Sequence, residues 1–335
     1  MGFTAAHAQQ QFATLQHGDN ISVFYGYSAF VEAHAAAVNG DIITLSPGSF
    51  YNDHITKAVT IRGAGMRRDT VANTFPTKII DNPNNYDYFT INVDDNTAHI
   101  LDIEGIYFDT YPFYEYLKNA RFNKCQMAKE FGNDYYAYDY TQQQVMNGCV
   151  FSNCIFNENL YIYPDCSLNT FVNCVISSIE STDNSDNNNT YVHCVITGAD
   201  YNNGTYYSCV NVLYDDVEGA SCYNCLFVKN SNYGDLSAET SANNYLAPNV
   251  GDAAFSSVFA TLQNSNQIHG MTTLSTEMFE LTEAASAYIG HDGTQVGVHG
   301  GLFPFNPRVS TYRVSVPQGS TSEGNLEVGI QNVNE

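Results

Sequence analysis

Phe171-Val172-Asn173-Cys174-Val175-Ile176 cannot be one uninterrupted strand with its apolar residues on a single face. Side chains alternate along a strand, so Cys174 and Ile176 point the same way. Phe171 joins them only if the alternation is reset between it and Cys174. Asn173 suits that reset, because Asn tolerates the left-handed conformation that turns a chain sharply in one residue. Strand, one-residue bend, strand is the corner of a β-solenoid. The pattern recurs as Phe122-Asn123-Lys124-Cys125-Gln126-Met127, Phe151-Ser152-Asn153-Cys154-Ile155-Phe156, Tyr191-Val192-His193-Cys194-Val195-Ile196, Tyr206-Tyr207-Ser208-Cys209-Val210-Asn211 and Cys222-Tyr223-Asn224-Cys225-Leu226-Phe227. Repetition on this scale signals stacked units.

Stacking brings like on like. Cys125, Cys154, Cys174, Cys194, Cys209 and Cys225 are expected to form an interior column between an aromatic and an aliphatic one. Cys behaves as a small hydrophobe when buried, so the column reads as reduced packing. The odd count of 9 cysteines argues against a complete disulfide framework. Cys222-x-x-Cys225 has zinc or redox spacing but no second pair or nearby His to complete a ligand set.

Outward from this core, the rhythm begins earlier without Cys. Asp41-Ile42-Ile43-Thr44-Leu45 reads as a strand stopped by Pro47-Gly48, followed by Val59-Thr60-Ile61, Lys78-Ile79-Ile80 and Ile100-Leu101-Asp102-Ile103. Before it, Ser28 can N-cap a helix through about Val38, with Phe30, Ala33 and Ala37 on one face. That helix is expected to cover the open end of the stack. After Tyr245 the pattern fades. The run from Tyr288 to Gly301 is dense in glycine, which predicts tight turns, with His269, His291 and His299 making turn hydrogen bonds. Alternation in Tyr312, Val314 and Val316, then Leu326, Val328 and Ile330, predicts a terminal β-hairpin.

Gly40-Asp41-Ile42-Ile43-Thr44-Leu45-Ser46-Pro47-Gly48-Ser49-Phe50 and Val59-Thr60-Ile61-Arg62-Gly63-Ala64-Gly65 resemble the opening of pectin-lyase-like right-handed β-helices. Val296-Gly297-Val298-His299-Gly300-Gly301 resembles the closing segment of secreted β-helix proteins from Bacteroidetes. The expected fold is therefore all-β: a right-handed parallel β-helix with an N-terminal capping helix, an irregular C-terminal cap and a terminal hairpin. The expected organisation is a signal-like remnant at 1–8, a capping segment at 9–40, β-helix coils at 41–245, a Gly-rich cap at 246–307 and the hairpin at 308–335. Ala6-His7-Ala8 fits the small-x-small site of a secretory signal, which points to a secreted or cell-surface protein.

The balance of 12 Lys+Arg against 35 Asp+Glu gives a formal charge of -23. Such a surface repels phosphate backbones and anionic membranes, which excludes nucleic acid as a partner class. No stretch approaches the roughly 18 apolar residues of a transmembrane segment. Polysaccharide, surface protein and self-association remain as partners. The fold resemblance also admits catalysis, but not the parts it needs. Lyase chemistry requires a cationic base beside Ca²⁺-holding carboxylates. Between 130 and 307 the chain has one basic residue, Lys229. The basic cluster Lys118, Arg121, Lys124 and Lys129, near Glu115 and Glu130, leaves a divergent lyase or hydrolase site near 107–140 as the alternative. The Asn-Thr-Asp, Gly-His-Gly and Arg-Ile-Lys segments associated with related hydrolases are missing, and the adjacent pair Asp215-Asp216 has no supporting residues. Binding is expected instead at the tyrosine run Tyr135, Tyr136, Tyr138 and Tyr140, neighboured by Tyr111, Tyr114, Tyr116, Tyr161 and Tyr163. Asp183 and Asp186, in an oxygen-rich loop, are the candidate ligands for Ca²⁺.

Overall fold

The computed structural model describes residues 11–69, 74–83, 89–93, 98–132, 144–181, 188–200, 204–211, 220–228, 241–247, 256–262, 279–306, 312–315 and 329–332. Parallel sheet dominates. Two long sheets hold 12 and 11 strands among the described residues. From Ile42 onward the chain visits them alternately. Ile42–Leu45, Thr60–Arg62, Asp102–Glu104, Arg121–Asn123, Val150–Ser152, Thr170–Val172, Thr190–Val192, Thr205–Tyr207 and Ser221–Tyr223 stack in the first. Gly48–Tyr51, Thr77–Ile80, Ile106–Asp109, Gln126–Met127, Ile155–Ile162, Val175–Ser181, Val195–Ile196, Val210–Asn211 and Leu226–Phe227 stack in the second. A third sheet, Phe89–Val93, Pro112–Lys118 and Val145–Asn147, lies beside the earlier rungs. Its strands fall in the longer intervals between motifs, so the shortening of the repeat along the chain accompanies its loss.

The bend is where the motif places it. Asn173 has φ 50°, and the residues stacked in the same position, Gly105, Lys124, Asn153, His193, Ser208, Asn224 and Asn243, all have positive φ. Lys124 and Ser208 lack the Asn preference, so the stack imposes the conformation on them. Inside the corner, the rings of Phe122, Phe151, Phe171, Tyr191 and Tyr206 stack with centroids 4.7–4.9 Å apart. That is the spacing of neighbouring strands, so each ring sits directly on the last. Cys222 takes the next place, opposite Tyr206 in the register. It ends the aromatic column.

All 9 cysteines are buried and unbridged. In the column each thiol reaches back to the rung before: Cys154 Sγ lies 3.4 Å from Phe122 O, Cys174 Sγ 3.4 Å from Phe151 O and Cys194 Sγ 3.4 Å from Phe171 O. Cys149 stands at a different corner, beside a buried asparagine ladder. Its backbone N–H donates to Asn169 Oδ1, and Asn169 N–H donates in turn to Asn189 Oδ1, each at 2.9 Å.

The N-terminal end differs from the sequence expectation. The helix is Ala29–Ala36, with Phe30 and Ala33 buried, and Ser28 makes no side-chain capping bond. The helix packs into the core through Ala29, Phe30 and Ala33, with its C-cap Ala37, as expected. The first sheet is further extended by a hairpin, Phe12–His17 with Asn20–Tyr25, whose first strand runs antiparallel to Ile42–Leu45. The strand Ile42–Leu45 stops before Pro47-Gly48 as expected, and Gly48 opens the next strand, so the dipeptide is a corner. Lys78-Ile79-Ile80 belongs to the second sheet, not to the sheet of Ile42. No described helix is long and apolar enough to cross a membrane. Tyr312–Ser315 pairs antiparallel with Gly329–Asn332 as the terminal alternation predicts.

Candidate functional site

Two surface features of the later rungs bring functional side chains together. The first is the outer face of the first sheet. Its strands alternate a buried ring with two outward residues, which places Val150, Thr170, Thr190, Thr205 and Ser221 in one line. Ser152, Val172, Val192, Tyr207 and Tyr223 form the parallel line. Five successive rungs thus show hydroxyl, aliphatic and phenolic groups with no charge, although the chain carries -23 overall. Earlier rungs of the same face carry Arg62, Asp102, Glu104 and Arg121. The rings of Tyr207 and Tyr223 stack at 5.2 Å.

The second feature is a strap, residues 289–306, laid along the column of bent residues. Asn173 Nδ2 donates to Val298 O at 3.0 Å and to Gly300 O at 2.9 Å. Gly297 N–H donates to Ser208 O at 2.8 Å, and Asn306 N–H reaches Asn153 Oδ1 at 3.3 Å. Beneath it, Ile155, Val175, Val195, Val210 and Leu226 face away from the aromatic core and are covered by Val296, Val298 and Phe305 in a second apolar cluster. Glycine is required by closeness: a Cβ on Gly297 would meet Val210 Cγ2 at 2.9 Å, and one on Gly300 would come 1.8 Å from Gln295 O of the strap's own backbone and 2.5 Å from His193 Nδ1.

At the start of the strap, titratable groups converge. His193 Nε2 donates to Asp292 Oδ2 at 3.0 Å. Asp292 Oδ1 accepts from Thr294 N–H at 3.0 Å and from its hydroxyl at 2.8 Å. Partial burial pushes the Asp292 carboxyl up, but the Thr294 and His193 hydrogen bonds outweigh it and hold the group at about 2. Ser208 Oγ accepts from His291 N–H at 2.9 Å and lies 2.7 Å from His291 Nδ1. This is not a nucleophilic triad. The carboxylate is bonded to His193, whereas the hydroxyl is bonded to His291, so no single imidazole links them. His193 is 2% exposed and its Nδ1 has no partner among the described residues.

Tyr135, Tyr136, Tyr138 and Tyr140 lie outside the described residues, as do Asp183, Asp186, Asp215, Asp216, Lys229 and His269. Of the neighbouring tyrosines, Tyr114 is buried rather than at the surface. Its hydroxyl donates to Tyr161 O at 2.6 Å, and burial pushes its pKa well up. Tyr163 is 9% exposed. Tyr111 is exposed, and Tyr116 lies under Lys118 Nζ at 4.6 Å. Lys129 Nζ is 3.8 Å from Glu158. His291 bonds Ser208 of a distant rung, not the backbone of its own turn as the glycine-rich sequence predicts. Neither the strap nor the neutral face is announced by a motif. The signal for the face is present nonetheless in Thr170, Thr190 and Thr205, each one residue before its column ring.

Comparison with protein-family models, with curated proteins and with solved structures yields no match.

Proposed function

We propose that this chain is a right-handed parallel β-helix of the pectin-lyase-like kind, secreted or held at a cell surface, which binds a neutral polysaccharide without cleaving it. The observation that carries the reading is the uncharged outer face running from Val150 to Tyr223 on a polyanionic chain. Parallel rungs repeat about every 4.8 Å, so the face offers hydroxyls at regular intervals and a stacked tyrosine pair at one end. Rings with a polar tip suit sugar faces and hydroxyls together. A neutral ligand avoids the repulsion that the net charge imposes on polyanions. The strap covers the neighbouring corner and meets the face at Tyr207, whose ring lies 5.4 Å from that of His291.

The test is a panel of neutral and acidic polysaccharides offered to the full-length protein. Retention on neutral members, with little response to salt, is expected, because uncharged groups make the contacts. Tyr223→Ala should weaken binding by about 1–2 kcal/mol, modest for an interface aromatic. Thr190→Lys should weaken it further while leaving the fold intact, since position 190 points outward. Binding that collapses in modest salt, or that ignores both substitutions, would refute the assignment of this face. Release of reducing ends or unsaturated products would refute the absence of catalysis.

A further inference from the structure

His193, His291 and Asp292 each offer one ligand atom, and the three atoms lie within 4.8 Å of one another. We propose that they hold a divalent first-row transition ion of the zinc class at the junction of rung and strap. Two imidazoles and one carboxylate form the mixed nitrogen and oxygen set that such ions favour, whereas Ca²⁺ and Mg²⁺ take oxygen throughout. His193 Nε2 and Asp292 Oδ2 are 3.0 Å apart, near the roughly 3.3 Å between two ligands that each stand about 2 Å from one tetrahedral ion, and the ion would take the place of the proton between them.

Each ligand is held from behind. His193 is fixed at a bend with φ 51°, its backbone N–H donating to Tyr207 O at 2.9 Å. Asp292 has Oδ1 occupied by Thr294, which leaves Oδ2 for the ion. Ser208 grips His291 at both the ring and the backbone. Supports of this kind orient ligands and are part of a metal site's affinity. Three protein ligands leave one tetrahedral position, which the exposure of His291 and Asp292 opens to solvent. The cysteine column takes no part, since its thiols point into the core on the far side of the corner. The ion would join the strap to the rungs across about a hundred residues of sequence, the separation of His193 and Asp292.

Zinc alone, added to the metal-free full-length protein, should bind at one ion per chain and raise its melting temperature, as any ligand of the native state does. His291→Asn and Asp292→Asn lie in the strap at exposed positions. Each should lower zinc affinity at least about tenfold and abolish the zinc-dependent thermal shift, read against that variant's own zinc-free melting temperature. Cobalt(II) should give the visible bands of a tetrahedral nitrogen and oxygen site without a thiolate charge-transfer band. The proposal is overturned if the parent takes up no stoichiometric zinc, if both variants bind as the parent does, if the thiolate band appears, or if Ca²⁺ gives an equal shift.

Discussion

Asn173 serves twice: its backbone makes the left-handed bend, and its side-chain amide holds two carbonyls of the strap. The two roles separate by substitution. Asn173→Gly keeps the bend and loses the strap bonds, each worth about 1 kcal/mol. Asn173→Ala loses the bonds and strains the bend. Asn173→Val adds a β-branched clash, for a further cost of about 1–3 kcal/mol. Melting temperatures should fall in that order, Gly least and Val most, and equal values would deny the bend its cost. The buried thiols make a second residue-scale prediction. Burial pushes the Cys149 thiol up to about 12 from its ordinary value of 9.0. The unfolded chain therefore releases this proton first. The corresponding stability is fully present below about pH 9 and is lost as pH rises through about 12. Chemical denaturation should show declining stability across that window, and native thiol labelling should be slow below it. Asn211 is the opposite case. It stands in the aliphatic column beside Ile196 and Phe227, 1% exposed, with neither side-chain atom bonded among the described residues. Asn211→Val should raise stability by about 1–3 kcal/mol, the usual penalty of a buried unsatisfied polar group.

Among elements, the strap depends on glycine for contact rather than for turning alone. Gly300→Ala drives a methyl to 1.8 Å from Gln295 O of the strap itself and to 2.5 Å from His193 Nδ1, so it should break the strap's own turn and unseat it from the bent column without disturbing the stacked rings. Faster amide exchange at residues 289–301, with the strands from Phe122 to Tyr206 still protected, is the expected pattern. Uniform loss of protection would mean that strap and rungs unfold together. The same element shows where sequence reading reaches its limit. The corner was legible because it repeats: five copies of aromatic, any residue, bend, Cys, and a sixth that opens on Cys222, fix which side chains stack. Val175, Val195 and Val210 face away from that core, yet alternation alone cannot say that a segment a hundred residues later will cover them. His291 and Asp292 are legible as polar turn residues; that they meet His193 depends on a long return of the chain. The N-terminal hairpin was missed for a plainer reason. Phe12–His17 and Asn20–Tyr25 mix apolar and polar residues with weak alternation, and only the turn Gly18, with φ 56°, marks the reversal.

For the whole molecule, charge and architecture pull against each other. A net charge of -23 repels itself more strongly in the native state than in the expanded one, so screening should favour folding. Raising salt from about 0.01 M to 0.15 M shortens the Debye length from roughly 30 to 8 Å and should raise the melting temperature. A melting temperature independent of salt would show that the carboxylates are already compensated. Each strand of the two long sheets pairs with its sheet neighbours, so pairing can propagate along the stack. The strap breaks that locality, since Asn173 bonds residues 125 and 127 positions away. During synthesis the valine stripe leaves the ribosome long before its cover does. For that interval a nascent chain displays an apolar ribbon beside open strand edges, the kind of surface that recruits chaperones or other chains. Refolding should accordingly be limited by a late, slow step, and its yield should fall as protein concentration rises.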